Sequence, residues 1–163
     1  MISDALQKRF KTLLPRYPVK RSALVPMLLF AQDEIGYVSE EVIEQICLEL
    51  NLPRTEVIEV ISYYAMLRRK PAGRHHLQVC TNLSCMLQGG EAIFERCRKT
   101  LGIGHQETTP DGTFSLEEVE CIGACVGAPA LQVNYDFYEN LTVEKLDELL
   151  QHLTKNGKTS SEL

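Results

Sequence analysis

No stretch of this chain is apolar for long enough to cross a membrane. The longest run, from Ala23 to Ala31, holds Pro26 and falls well short of the roughly 20 residues a spanning helix needs. Direct membrane insertion is therefore not expected. The first residues, Met1-Ile2-Ser3-Asp4, lack the basic-then-apolar pattern of a secretory leader, so the expected compartment is the cytoplasm. Without export, the six cysteines read as thiols or metal ligands and not as a disulfide framework. The sequence contains no G-x-G-x-x-G fingerprint, no Walker loop and no nucleophile elbow, so it offers no recognisable site for a nicotinamide or flavin and no catalytic residues of its own. A C-x-x-C redox dithiol is also absent.

Positive charge is scarce where it would matter for nucleic acid. The formal net charge is −5, and it is unevenly spread: residues 1–74 carry 11 Lys and Arg against 9 Asp and Glu, whereas residues 75–163 carry 6 against 13. An acidic half that holds most of the cysteines excludes the basic footprint that nucleic-acid binding requires. At 163 residues, with 44% hydrophobic and 24% charged, the chain can build one large core or two small ones.

The first seventy residues carry helical periodicity. Ser3 can cap a helix bearing Leu6, Phe10, Leu13 and Leu14 on one stripe, broken by Pro15 and Pro18. Ser22 can cap a second helix from Ala23 to Glu34, stopped at Gly36, and Ser39 a third with Val42, Ile43, Ile46, Cys47 and Leu50 on its apolar face, ending at Asn51. Pro53 suits the first turn of a fourth, with Val57, Ile61, Tyr64 and Ala65 in register. Together they predict a small helical bundle. The basic, Pro- and Gly-bearing stretch from Arg68 to Arg74 reads as a solvated hinge closing a first region, 1–74, or as a contact for a negatively charged partner.

The period then changes. His75 to Cys80 and Phe114 to Cys121 read as strands, Gly90 to Leu101 as a helix with Ile93, Phe94, Cys97 and Leu101 on its buried side, and Ala130 to Val133 as a further strand. A fourth strand is expected within Asn134 to Asn140. Thr142 caps a closing helix with Val143, Leu146, Leu149 and Leu150, and the polar tail from 155 to 163 is expected to be disordered. The expected fold class is α+β, with a sheet-and-helix domain over 75–154.

The chemistry lies in Cys80, Cys85, Cys121 and Cys125. Four residues separate the first pair and three the second, with thirty-five between them, and each pair follows a strand. Four thiolates on two strand-end loops can hold a [2Fe–2S] cluster, and the loop glycines (Gly89 and Gly90, Gly123 and Gly127) let the backbone approach sulfur closely. A structural zinc site fits the spacing loosely, and plain thiols or a disulfide are the remaining alternatives. Glu117, Glu118 and Glu120 precede Cys121 and would oppose an added electron if they lie close, whereas backbone donors would favour it. All-thiolate centres of the plant type lie near about −400 mV. Cys47 and Cys97 sit on apolar helix faces and read as core residues. His75 and His76, on opposite faces of one strand, are expected to face solvent or a partner.

The run Val79-Cys-Thr-Asn-Leu-Ser-Cys-Met-Leu-Gln-Gly-Gly90, followed by Glu120-Cys-Ile-Gly-Ala-Cys-Val-Gly-Ala-Pro-Ala130, resembles the thioredoxin-like [2Fe–2S] ferredoxin family. Ala31-Gln-Asp-Glu-Ile-Gly36, Ile61-Ser-Tyr-Tyr-Ala-Met66 and Tyr138-Glu-Asn-Leu-Thr142 extend the likeness over nearly the whole chain. The resemblance implies that Cys80, Cys85, Cys121 and Cys125 ligate one [2Fe–2S] cluster. It also implies a helical N-terminal region ahead of a thioredoxin-like domain, and a role as an electron-transfer subunit. Proteins of this kind exchange electrons with the FMN of a partner that binds flavin and NADH, as in NADH:quinone oxidoreductase (respiratory complex I), peripheral to the membrane. NAD-linked hydrogenases and formate dehydrogenases are the alternative assemblies, and a zinc-stabilised module without redox function is the alternative class. The resemblance places Ala128-Pro129 where such folds often hold a cis proline. Gly127 departs from the Asn common in relatives, and Tyr135 and Phe137 depart from the usual Asp- and Tyr-rich stretch.

Overall fold

The structure, a computed structural model, describes residues 2–156. The chain divides between Pro71 and Ala72 into two compact units.

The first unit is helical: α1 (Asp4–Leu13), α2 (Leu24–Ile35), α3 (Glu40–Leu50) and α4 (Arg54–Tyr63). Local chemistry sets most of the boundaries. The Ser3 hydroxyl accepts from the Leu6 N–H at 3.0 Å and the Ser39 hydroxyl from the Val42 N–H at 3.4 Å, each satisfying a donor that the first turn leaves open. Gly36 and Asn51 close α2 and α3 in the left-handed conformation, at φ 91° and 54°. Two expectations are corrected. Ser22 caps nothing: it lies in a 3₁₀ turn, Lys20–Ala23, that leads directly into α2. Pro53 stands before α4 in extended conformation, and the helix ends at Tyr63, which leaves Tyr64 and Ala65 beyond it. Leu6, Phe10, Met27, Leu28, Val42, Ile43, Ile46 and Val57 fill the core of this unit. Truncating any of the larger ones to alanine would cost about 2–5 kcal/mol.

The start of the basic stretch is not a free hinge. The Arg68 N–H donates to Gln32 Oε1 at 2.7 Å, and its carbonyl accepts from the Val38 N–H at 2.7 Å. Arg69 pairs with Glu40, which also takes Arg54 at 2.5 Å. The acid that meets this arginine belongs to the same unit.

The second unit holds five strands: β1 (His75–Cys80), β2 (Glu107–Thr108), β3 (Phe114–Val119), β4 (Leu131–Val133) and β5 (Asp136–Tyr138). Their order across the sheet is β2-β3-β1-β4-β5. Only β1 and β3 run parallel, and the other neighbours are antiparallel. Helices α5 (Leu83–Leu87), α6 (Gly90–Leu101) and α7 (Val143–Asn156) complete the unit. The Thr142 hydroxyl accepts from the Lys145 N–H at 3.3 Å at the start of α7. That helix takes in Lys155 and Asn156, and the rest of the tail, 157–163, lies outside the described residues. Ile93 and Cys97 of α6 and Leu146, Leu150 and Leu153 of α7 pack with Leu77, Val79, Leu116, Leu131 and Val133 of the strands.

His75 and His76 are a further correction, because both are buried. β1 lies in the middle of the sheet, with Leu77 and Val79 on the face that packs into the sheet-and-helix core, and side chains of the neighbouring strand β3 shield His76 on the other face. His75 packs beside Phe114, ring centroids 5.4 Å apart, and burial, then the charge of Arg74, hold its pKa below the usual histidine value. On the other face, His76 Nδ1 lies 2.8 Å from Ser115 Oγ and Nε2 lies 3.0 Å from Glu117 Oε2.

Candidate metal centre

The parallel pairing of β1 with β3 decides where the cysteines go. Parallel neighbours end on the same side of a sheet, and here Cys80, the last residue of β1, lies opposite Val119, the last of β3. The loop after β1 carries Cys85, and the loop after β3 carries Cys121 and Cys125, so both pairs leave the same sheet end. The Thr81 N–H donates to the Val119 carbonyl at 3.2 Å, and the Cys80 thiol approaches the Glu120 carbonyl at 3.8 Å. These contacts tie the roots of the two loops together.

The first loop folds into α5, a five-residue helix that sequence periodicity is too short to reveal. The Asn82 side chain accepts from the Leu83 N–H at 2.7 Å and starts it, which turns Cys85 inward. Cys80 and Cys85 are buried against Ala130, with Ile122, Ala124 and Ala128 packed around them. The Ala130 carbonyl accepts from the Cys80 N–H at 3.2 Å, just past the Ala128–Pro129 peptide bond, which is cis. Gly90 closes the other side: a β-carbon there would lie 2.7 Å from the Cys80 carbonyl oxygen and 2.9 Å from that of Cys85.

The second loop is open. Cys121 and Cys125 are exposed, and a 3₁₀ turn, Cys125–Gly127, ends the loop. Gly123 adopts φ 82°, a left-handed conformation that suits glycine, and its N–H donates to Cys121 Sγ at 3.3 Å. A backbone N–H aimed at sulfur is a contact that a metal-bound cysteine can accept. At Cys85, burial comes first in pushing the thiol above its usual pKa, against a lowering contact with the Ala130 backbone, and the Cys80 and Cys125 sulfurs push it up further. A buried thiolate carries a cost that a bound cation offsets.

The donor set therefore fits a [2Fe–2S] cluster: four sulfurs on one sheet end, two buried and two open, with small side chains around them and an N–H on one sulfur. Among the described residues, no three His, Cys, Asp or Glu side chains converge on a single ion position. A two-iron core distributes its four ligands over two metal ions, so it does not require three donors around one point.

The three glutamates before Cys121 divide their roles. Glu117 accepts from Gln78 Nε2 and contacts His76, both at 3.0 Å. Glu118 takes the Thr81 hydroxyl at 2.9 Å, and its N–H donates to His105 Nδ1 at 3.0 Å. Glu120 offers its backbone carbonyl to Cys80. His105 escaped the sequence reading, since no local motif marks it; Thr81 and Ala130 stand within the quoted runs, but their contacts with Glu118 and with the Cys80 N–H come from pairing across the sheet. The space opposite Gly127 is filled by Glu139, whose carboxylate would meet any β-carbon added there. Tyr135 and Phe137 are exposed beside the β4–β5 turn. Cys97 is wholly buried in the sheet-and-helix core and Cys47 half-buried against the helical one, apart from the four loop cysteines.

A family model described as thioredoxin-like [2Fe–2S] ferredoxin matches residues 10–154. The chain is 43% identical over 156 residues to an E-type subunit of the NADH-quinone oxidoreductase of Rhizobium meliloti (strain 1021), covering 96% of this chain and 93% of that protein. It is 40% identical over 152 residues to the E-type subunit of the NADH-quinone oxidoreductase of Rickettsia prowazekii (strain Madrid E), covering 91% of this chain and 86% of that one. Among solved structures, NAD+-reducing [NiFe]-hydrogenase in the H2-reduced state shares the fold at a TM-score of 0.73 and 18% identity, over 82% of this chain. This chain spans only 22% of that hydrogenase chain. With a family match over residues 10–154 and two relatives aligned along most of their length, the chain belongs to the thioredoxin-like [2Fe–2S] ferredoxin family.

Proposed function

We propose that Cys80, Cys85, Cys121 and Cys125 hold one [2Fe–2S] cluster, and that the chain relays single electrons between it and the FMN of an NADH-binding partner in an NADH-quinone oxidoreductase assembly. The observation that carries this reading is the paired ending of β1 and β3, which delivers both cysteine loops to one sheet end. When bound, the cluster supplies reversible one-electron chemistry. The protein's own residues do the rest. Cys80 and Cys85 anchor from a dry wall of alanines, and Cys121 and Cys125 face outward, where a partner can approach. The Gly123 N–H offers a backbone donor to the Cys121 sulfur, and Thr81, next to Cys80, holds the Glu118 carboxylate by its hydroxyl.

Residues 75–154 are assigned to the cluster, and residues 1–74, which contain the four helices α1 to α4, to partner contact. The assembly reading rests on identity of about two residues in five with the NADH-quinone oxidoreductase relatives; the hydrogenase shares the fold alone. No helix among the described residues is long and apolar enough to cross a membrane. The proposed place, cytoplasmic and peripheral through the assembled complex, rests on the likeness to the NADH-quinone oxidoreductase relatives.

The test is anaerobic purification followed by iron and sulfide assay and reduction by NADH. The expected result is a brown protein with two irons and two labile sulfides per chain. NADH should reduce it only after the FMN-bearing partner is added. A colourless chain with one bound zinc would overturn the cluster assignment. Failure of the loaded partner pair to exchange electrons would overturn the assembly assignment alone.

A further inference from the structure

The helical unit carries a second feature that the cluster does not explain. Residues 5–32 hold six Lys and Arg and no Asp or Glu, in a chain whose acids outnumber its cations 22 to 17. All six cations are exposed. Three of them, Lys8, Arg9 and Arg16, line a groove of about 420 Å³ along α1, together with Thr12 and Phe30. No carboxylate lines this groove among the described residues. The Arg9 guanidinium lies over the Phe30 ring, 4.2 Å from its centroid, a cation–π contact that holds it at the groove. Elsewhere in the unit arginines do find acids: Arg21 pairs with Glu56, and Arg54 and Arg69 with Glu40.

The geometry points to a docking groove for a short acidic polypeptide segment of a partner protein. Planar guanidiniums match carboxylates in pairs, and an ammonium and a hydroxyl beside them add point donors. From Ala5 to Arg16 the groove follows roughly 15 Å of chain, the span of four or five extended residues. A polyphosphate or an anionic membrane fits less well, because Ala5, Leu13 and Phe30 also line the groove, an apolar surface that the methylenes of glutamate side chains can cover and phosphate groups cannot. A short segment that enters the groove feels mainly the local cations. The inference goes beyond the electron-transfer reading and does not depend on it.

The experiment measures fluorescence anisotropy of labelled pentaglutamate against the full cluster-bearing chain at low and moderate salt. Expected are saturable binding that weakens with salt, a loss of at least tenfold in Arg9→Glu and in Lys8→Glu/Arg16→Glu, and little change in Lys99→Glu, an exposed charge reversal on α6. Arg9→Lys should lose part of the affinity, since it keeps the charge but not the planar fork. Far-ultraviolet circular dichroism shows whether each variant is folded, and the two groove variants check each other. No saturable binding, equal weakening by Lys99→Glu, or tighter binding of pentathymidylate or of phosphatidylglycerol-containing vesicles would overturn the proposal. None of these results bears on the cysteine assignment, because none reads the cluster.

Discussion

Gly90 lies against the Cys80 carbonyl so closely that a β-carbon at position 90 would stand 2.7 Å from that oxygen. The neighbouring atoms are backbone, including the Cys85 carbonyl, so no side chain can swing aside. Gly90→Ala must therefore push the first cysteine loop away from the start of α6, at about 1–3 kcal/mol of overpacking. The expected outcome is a chain with lowered iron content and a lowered thermal midpoint. Gly104→Ala, which meets only the flexible carboxylate of Glu107 at 3.3 Å, should keep full iron content. Equal iron in Gly90→Ala and wild type would show that the loop has slack that this packing denies.

The two serines near the first helices separate a real cap from an apparent one. Ser39→Ala removes the acceptor for the Val42 N–H and is expected to destabilise the helical unit by about 1 kcal/mol. Ser22→Ala removes no helix-capping bond, since Ser22 lies inside the 3₁₀ turn ahead of α2, and should leave stability within about 0.5 kcal/mol of wild type. Urea unfolding followed at the helical signal measures both.

What was legible in the sequence follows the range of the forces involved. α1 and α3 could be read from Ser3, Ser39 and Asn51 because caps act within one turn. The strand β1 and helix α6 could be read from period alone. By contrast, β2 is two residues long and exists through pairing with β3, and α5 is five residues held by Asn82. Neither leaves a periodic trace. The burial of His76 was hidden for a similar reason: its partners Ser115 and Glu117 stand 39 and 41 positions away. Strand alternation told which faces the two histidines take, but not that side chains of the neighbouring strand would cover His76. The four loop cysteines could be singled out from spacing, whereas the inward turn of Cys85 and the outward turn of Cys121 and Cys125 depend on α5 and on Gly123.

The Glu117 carboxyl gives a pH prediction with a definite sign. Burial alone raises its pKa, but hydrogen bonds from His76 and Gln78, with the charges of His76 and His105 nearby, outweigh that and leave it below 4.5. A carboxylate held below its unfolded value stabilises the fold above that value and loses its contribution as pH falls through the folded one. Glu117→Gln should therefore be less stable than wild type by about 1.5–3 kcal/mol at pH 7, the scale of a hydrogen bond to a charged group. The gap should narrow toward pH 4. Thermal unfolding of both proteins at the two pH values, followed by circular dichroism, measures it, and a gap that widens on acidification would contradict the assigned network.

The cysteines themselves supply the sharpest contrast, because Cys97 and Cys121 differ in every property that decides metal binding. Cys97 is fully buried among Ile93, Leu77 and Leu146, and burial pushes its thiol up to about 12, so it stays protonated and unreactive at neutral pH. Cys121 is exposed, on the same sheet end as the other three loop cysteines, with the Gly123 N–H on its sulfur. Cys121→Ala is expected to abolish the visible absorption and the reduced-state paramagnetic signal. Cys97→Ala should keep both and cost only the stability of a small core void, on the order of 1 kcal/mol. In the cluster-loaded protein, iodoacetamide at pH 8 should leave Cys97 unmodified. After chelation of the iron it should label Cys121 and Cys125, the exposed pair, before Cys80 and Cys85. Loss of the chromophore in both alanine variants to the same degree would refute the ligand assignment, and rapid labelling of Cys97 in the loaded protein would refute its place in the core.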